Sequence, residues 1–328
     1  MKVDDYVTDL PLANGGVLPD ARCRFAVWGT LNADRDNLIL YPTRFGGTHE
    51  QNAFLIGRGM ALDPERYCIL VPNMLGNGAS ASPSNTAQFP IVDHRDNVAL
   101  QRRLIADRFE SADIALAVGW SMGAQQAYRW AVEEPERVRR LLAICGTART
   151  TPHNRVFLEA LIAALEADPE WPEGVPTAGL RACGRIYAGW AYSQPWIKRA
   201  GYTGPAYRKT FGEFTSVEAW LEGYWDRLFM ARHAGDLVSC ARTWMANDVA
   251  DGGDLASALG GITARTHVMT ATTDLYFTPA DCAEEAVMIP GATYSDINTD
   301  WGHMCGSGQS ADDAAVINKA IEEILSRR

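Results

Sequence analysis

Val118-Gly119-Trp120-Ser121-Met122-Gly123-Ala124 is the stretch whose reading decides the fold. Ahead of it, Asp113-Ile114-Ala115-Leu116-Ala117-Val118 is short and apolar, the pattern of a buried strand. Behind it, residues 124–131 are rich in helix formers. Between the two lies Gly-x-Ser-x-Gly, the pattern of a nucleophile elbow, in which a strained strand-to-helix turn exposes a serine hydroxyl. The flanking glycines suit a turn where backbones approach too closely for side chains. A helix starting behind Ser121 would also aim its free amides and positive dipole end at a developing oxyanion.

Working outward, strands and helices alternate. Residues 21–30 and 37–41 read as strands on either side of a polar turn, Asn32-Ala33-Asp34-Arg35-Asp36. A third strand covers 67–72, and the loop at 73–86 is rich in Gly, Ser, Asn and Pro. Residues 91–109 predict a helix capped by Asp93, and 141–146 another buried strand. Strands at 266–271 and 292–297 and a helix at 311–325 close the chain. Strands that are apolar throughout and alternate with helices predict an α/β fold whose mostly parallel sheet is covered on both faces.

Between these halves the texture changes. Residues 156–167 are apolar and helical, ended by Asp168-Pro169, and the aromatic-rich segments 180–193 and 217–232 follow, with Trp220, Tyr224, Trp225 and Phe229. No buried strand is visible there, so 151–261 is read as a helical cap inserted between core segments 1–150 and 262–328. Its aromatics are expected chiefly to pack cap against core, the rest lining an apolar substrate pocket.

Composition narrows the function. At 328 residues and 47% hydrophobic, the chain has room for one large domain with an insertion, or for two domains. A formal net charge of -10 carries no basic footprint for nucleic acid or an anionic membrane. No apolar run reaches the roughly 18 residues of a membrane span. Met1-Lys2-Val3-Asp4-Asp5-Tyr6 lacks the basic and then apolar regions of a secretion signal. Seven scattered cysteines without a CxxC pair suit reduced thiols in the cytoplasm, and Cys68 and Cys145 read as small core residues.

A serine hydroxyl needs a general base to act as a nucleophile near neutral pH. In α/β-hydrolases the partners follow in the chain order Ser, then Asp or Glu, then His, and Ser121, Asp274 and His303 stand in that order. The two partners follow the last two strands, at the sheet edge where open α/β folds place their sites. His49 and His94 precede the serine, His153 and His233 fall in the cap, and His267 opens a strand. Asp281, Asp296 and Asp300 are the rival acids, but Asp274 occupies the loop where the acid is expected. The amides of Met122 and Thr43 are the candidate oxyanion donors, Pro42 having no N–H to give. His and Cys show no metal-ligand spacing, and no GxGxxG opens a βαβ unit, so neither a metal nor a nucleotide cofactor is expected.

The sequence resembles the homoserine O-acetyltransferase family of α/β-hydrolases. The resemblance rests on Gly46-Gly47-Thr48-His49-Glu50, on Pro72-Asn73-Met74-Leu75-Gly76-Asn77-Gly78 with Ser82-Pro83-Ser84, and on the elbow. Asp168-Pro169-Glu170-Trp171, Thr273-Asp274-Leu275-Tyr276-Phe277 and Gly302-His303 extend it to the end of the core. It implies a Ser-His-Asp triad, an acyl-enzyme, a helical cap and often a homodimer built through that cap. Two departures matter. The arginine with which the transferases grip the homoserine carboxylate is replaced by Leu158 or Ile162, depending on the anchor used for counting, while Arg155 lies a turn away. The acidic residue that usually follows Gly-His is Met304. Charge-assisted bonds are worth about 1.5–3 kcal/mol each, so these losses disfavour an amino-acid acceptor by roughly tenfold to a hundredfold apiece. The expectation is a cytoplasmic serine esterase acting on short-chain, acetyl-type esters, with a homoserine O-acetyltransferase or related acyl-CoA-dependent O-acyltransferase as the alternative.

Overall fold

A computed structural model describes residues 1–326. Eight strands form one sheet: β1 (Lys2–Pro11), β2 (Val17–Trp28), β3 (Leu38–Leu40), β4 (Cys68–Pro72), β5 (Ile114–Trp120), β6 (Arg140–Ile144), β7 (Arg265–Ala271) and β8 (Thr293–Ile297). Their order across the sheet is β1-β2-β4-β3-β5-β6-β7-β8. From β4 to β8 every neighbouring pair is parallel, whereas β1–β2 and β2–β4 are antiparallel. Every residue of β3, β4 and β5 is buried, as expected of parallel strands covered by helices on both faces.

The N-terminal hairpin is the main departure from the sequence reading. Its first strand was not anticipated, and the second starts four residues before 21. The edge strand β1 buries only Tyr6 and Leu10, so its apolar signal is thin. The helix expected at 91–109 spans His94–Arg108, and Asp93 caps it by accepting from the Arg95 amide.

Between β6 and β7 the described residues contain helices and no named strand. The longest are Pro152–Glu166, Thr177–Ala191 and Ala234–Met245. The helix expected at 217–232 is three pieces, with a wider π segment at Leu221–Asp226 between Val217–Trp220 and Arg227–Met230. Such segments often mark functional sites, and this one carries Tyr224 and Trp225 to a cavity wall. The aromatics were expected chiefly to pack cap against core, but three of the four named ones line the cavity and the fourth packs within 151–261. Trp220 is buried among Tyr192, Trp196 and Tyr202, while Tyr224, Trp225 and Phe229 face the cavity.

Candidate active site

The elbow is built by close backbone packing. Ser121 follows β5 directly and has φ 61° and ψ -130°, a strained conformation for a residue with a side chain. Its amide donates to the Ile144 carbonyl at 3.0 Å, which locks the turn to β6. A Cβ on Gly119 would lie 2.1 Å from the Gly123 carbonyl carbon, and one on Gly123 would lie 2.6 Å from the Pro42 carbonyl oxygen. Both glycines are therefore steric requirements of the turn. The helix Met122–Glu133 leaves from this point.

Asp274 and His303 meet at the same edge. Asp274 follows β7, and its Oδ1 accepts from the Tyr276 and Phe277 amides at 2.8 and 3.1 Å. Its Oδ2 lies 2.8 Å from His303 Nδ1. A carboxylate only accepts, so Nδ1 carries the hydrogen and Nε2 is left as the basic nitrogen. His303 follows Gly302, whose φ is +61° and whose missing Cβ leaves room for the Ser193 amide and the Ala191 carbonyl. The imidazole stacks on the indole of Trp120, centroids 4.9 Å apart, beside the residue that precedes the nucleophile position. Tyr276 meets the same imidazole edge-on at 4.9 Å.

The rival acids are engaged elsewhere. Asp300 forms a two-point ion pair with Arg199, Asp296 accepts from the Tyr294 hydroxyl and Asp281 from the Thr278 hydroxyl. Among the described residues one metal-type cluster exists, Cys145, Asp274 and His303, with their ligand atoms within 4.8 Å of one another. The imidazole–carboxylate hydrogen bond already occupies Nδ1 and Oδ2 in that cluster.

The two expected oxyanion donors differ. The amide of Met122, at the first position of the elbow helix, has no acceptor among the described residues, as helix starts allow. The Thr43 amide donates instead to the Pro72 carbonyl at 3.2 Å, continuing the β3–β4 pairing. Its hydroxyl accepts from the Met74 amide and its carbonyl from Gln126. The Thr43 amide is therefore committed to the sheet in this geometry, whereas the next two amides, those of Arg44 and Phe45, have no acceptor among the described residues. The sequence could not tell which amide of this loop the strand pairing would consume.

Beside the elbow lies a cavity of about 500 Å³ whose walls include Phe45, Trp120, Tyr187, Tyr224 and Met304. Met304 lines it, as the sequence suggested. Leu158 and Ile162 do not: both are buried in the packing of the helix Pro152–Glu166, and Ile162 borders a separate crevice of about 10 Å³ with Leu161 and Leu165. Charge reaches the cavity from two side chains that sequence reasoning passed over, Arg44 and Arg232.

Sheet order, elbow and the carboxylate–imidazole contact define an α/β-hydrolase, and residues 37–188 match the family model described as alpha/beta hydrolase fold. The chain is 38% identical to the ethyl acetate hydrolase of Pseudomonas veronii, over 97% of this chain and 93% of the relative. The solved structure of the acetyl esterase MekB superimposes with a TM-score of 0.94 at 36% identity, covering 100% of this chain and 97% of that one. Identity to the homoserine O-acetyltransferase of Thermobifida fusca is 32%, over 86% of this chain and 83% of the relative. The chain belongs to the homoserine O-acetyltransferase family of α/β-hydrolases, on its esterase-like branch. No helix among the described residues is long and apolar enough to cross a membrane.

Proposed function

We propose that this chain is a serine esterase that hydrolyses short-chain carboxylic esters, acetyl esters foremost, through an acyl-enzyme. The observation that carries the reading is the Asp274–His303 hydrogen bond, with the imidazole stacked on the residue next to Ser121. Ser121 Oγ attacks the ester carbonyl while His303 Nε2 takes its proton. Asp274 holds the imidazole in the required tautomer and steadies the imidazolium. The oxyanion is met by the Met122 amide and by a donor from the loop after β3, for which Arg44 N–H now fits better than Thr43 N–H. One such donor is worth on the order of 10²–10³ in rate. Collapse of the tetrahedral adduct breaks the carbonyl–alkoxy bond, and His303 returns the proton to the departing alcohol. Water, deprotonated by His303, then attacks the acyl-enzyme and releases the acid and Ser121.

Hydrolysis is favoured over transfer to homoserine because Met304 replaces the acidic residue of the transferases. The 38% identity to an ethyl acetate hydrolase, against 32% to an acetyltransferase, supports the same choice. The reading includes residues 151–261 as a cap over the site and a homodimer formed through that cap. A cytoplasmic setting is supported by seven free, buried cysteines. The test compares acetyl release from ethyl and butyl acetate with acetyl transfer from acetyl-CoA to homoserine, using wild type and Ser121→Ala. Fast hydrolysis abolished by Ser121→Ala is expected; faster transfer than hydrolysis would assign the acyltransferase instead.

A further inference from the structure

Arg44 and Arg232 both border the cavity beside Trp120, and among the described residues no acidic side chain lines it. The Arg44 guanidinium lies over the indole of Trp120, 4.5 Å from the ring centroid, and its Nη1 is buried without a hydrogen-bond partner. Arg232 donates from Nη1 to the Gly46 carbonyl. Gly46 and Gly47 make room for this pair. A Cβ on Gly46 would stand 2.4 Å from Arg232 Nη1, and one on Gly47 would stand 1.9 Å from Arg44 Nη1.

The two cations are poorly compensated. The groups acting most strongly on Arg44 are Tyr187, Tyr41, Arg232 and Tyr224, and those on Arg232 are Tyr187, Cys240 and Tyr224. None is a carboxylate. Burial holds both guanidinium groups below the ordinary arginine pKa, and the charge of Arg232 adds to the effect at Arg44. Two partly buried cations side by side without an anion are unfavourable, and the buried Nη1 of Arg44, a donor without an acceptor, calls for one in the working state. An arginine fork matches a carboxylate in both charge and shape.

We propose that Arg44 and Arg232 recognise an ionised carboxylate on the substrate, so that the preferred esters carry a free carboxylate in their acyl or alcohol part. This rests on the esterase reading and specifies its substrate class. Trp120 and Met304, the immediate sequence neighbours of Ser121 and His303, line the same cavity.

The test uses two matched pairs of esters. Monoethyl succinate against ethyl pentanoate places the carboxylate on the acyl side, and 3-acetoxypropionate against butyl acetate places it on the alcohol side. One charged ester is expected to exceed its neutral partner about tenfold or more in kcat/KM. Arg44→Met and Arg232→Met should each collapse that ratio, and Arg44→Lys should restore part of it. A neutral preference in both pairs, or variants that lower both members of each pair alike, overturns the proposal. Calorimetric binding of the charged ester to Ser121→Ala, compared with Ser121→Ala carrying both arginine-to-methionine changes, reads the site without turnover. Binding lost with the arginines but no hydrolysis by wild type would keep this site and remove the esterase reading. Hydrolysis of neutral esters with no carboxylate-dependent binding would do the opposite.

Discussion

The imidazole of His303 lies nearly parallel to the indole of Trp120, 29° apart in plane and 4.9 Å between centroids. The second residue of the elbow thus braces the base that would serve the third. Ring stacking of this kind contributes about 0.5–1.5 kcal/mol. Trp120→Leu is therefore expected to lower kcat by roughly two- to tenfold through a less well positioned imidazole. Steady-state kinetics on a neutral acetate ester check it; an unchanged kcat would show that Asp274 and Tyr276 orient the ring without the indole.

Asp274 and Asp300 separate cleanly by contact. Asp274→Asn should reduce kcat by up to about 10⁴, because an amide facing Nδ1 favours the wrong tautomer. Asp300→Asn breaks an outer ion pair with Arg199 and should leave kcat near wild type. Loss of rate in the second variant and not the first would exchange their assignments.

Gly119 faces the backbone of Gly123 and Ala124, atoms that cannot swing aside. Gly119→Ala is expected to destabilise by about 1–3 kcal/mol or to prevent folding. Gly189, in the helix Thr177–Ala191, has nothing within 4 Å of its missing Cβ. Gly189→Ala should stabilise by roughly 0.5–1 kcal/mol through helix propensity. Denaturant midpoints of the two variants should move in opposite directions.

His94 is buried against Gln125 of the elbow helix, Nε2 to Oε1 at 3.2 Å, and burial lowers its pKa to about 4. A histidine depressed from its unfolded value near 6.5 adds stability that is fully present above pH ~6.5. That contribution is lost as the pH falls toward 4. Thermal unfolding of wild type should weaken across this window, and His94→Gln should flatten the dependence. Parallel pH profiles for the two proteins would assign the acid sensitivity to other groups.

Much of the core was legible because its signals are local. A strand too apolar to face water, a serine between two glycines and a helix behind it specify an elbow whatever the rest of the chain does. Chain order and the strands they follow singled out Asp274 and His303 as candidates, and the structure brings the two into contact. The first strand of the hairpin escaped because it buries little, and the break at Leu221–Asp226 because a π segment leaves the helical composition unchanged. Thr43 was a reasonable donor by position, yet its amide is consumed by pairing with a strand that comes later in the chain.

By itself the sequence determined the alternation of elements, the strained serine turn and the order of its partners, since each follows from short-range sterics and hydrophobic pattern. Only the tertiary structure decided which amides stay free, which aspartate reaches the imidazole and what charge lines the cavity. Arg44 and Arg232 come from distant segments and meet only across Gly46 and Gly47. Nothing in the local pattern around either arginine records the other's field or the loss of solvent that makes an unpaired charge matter.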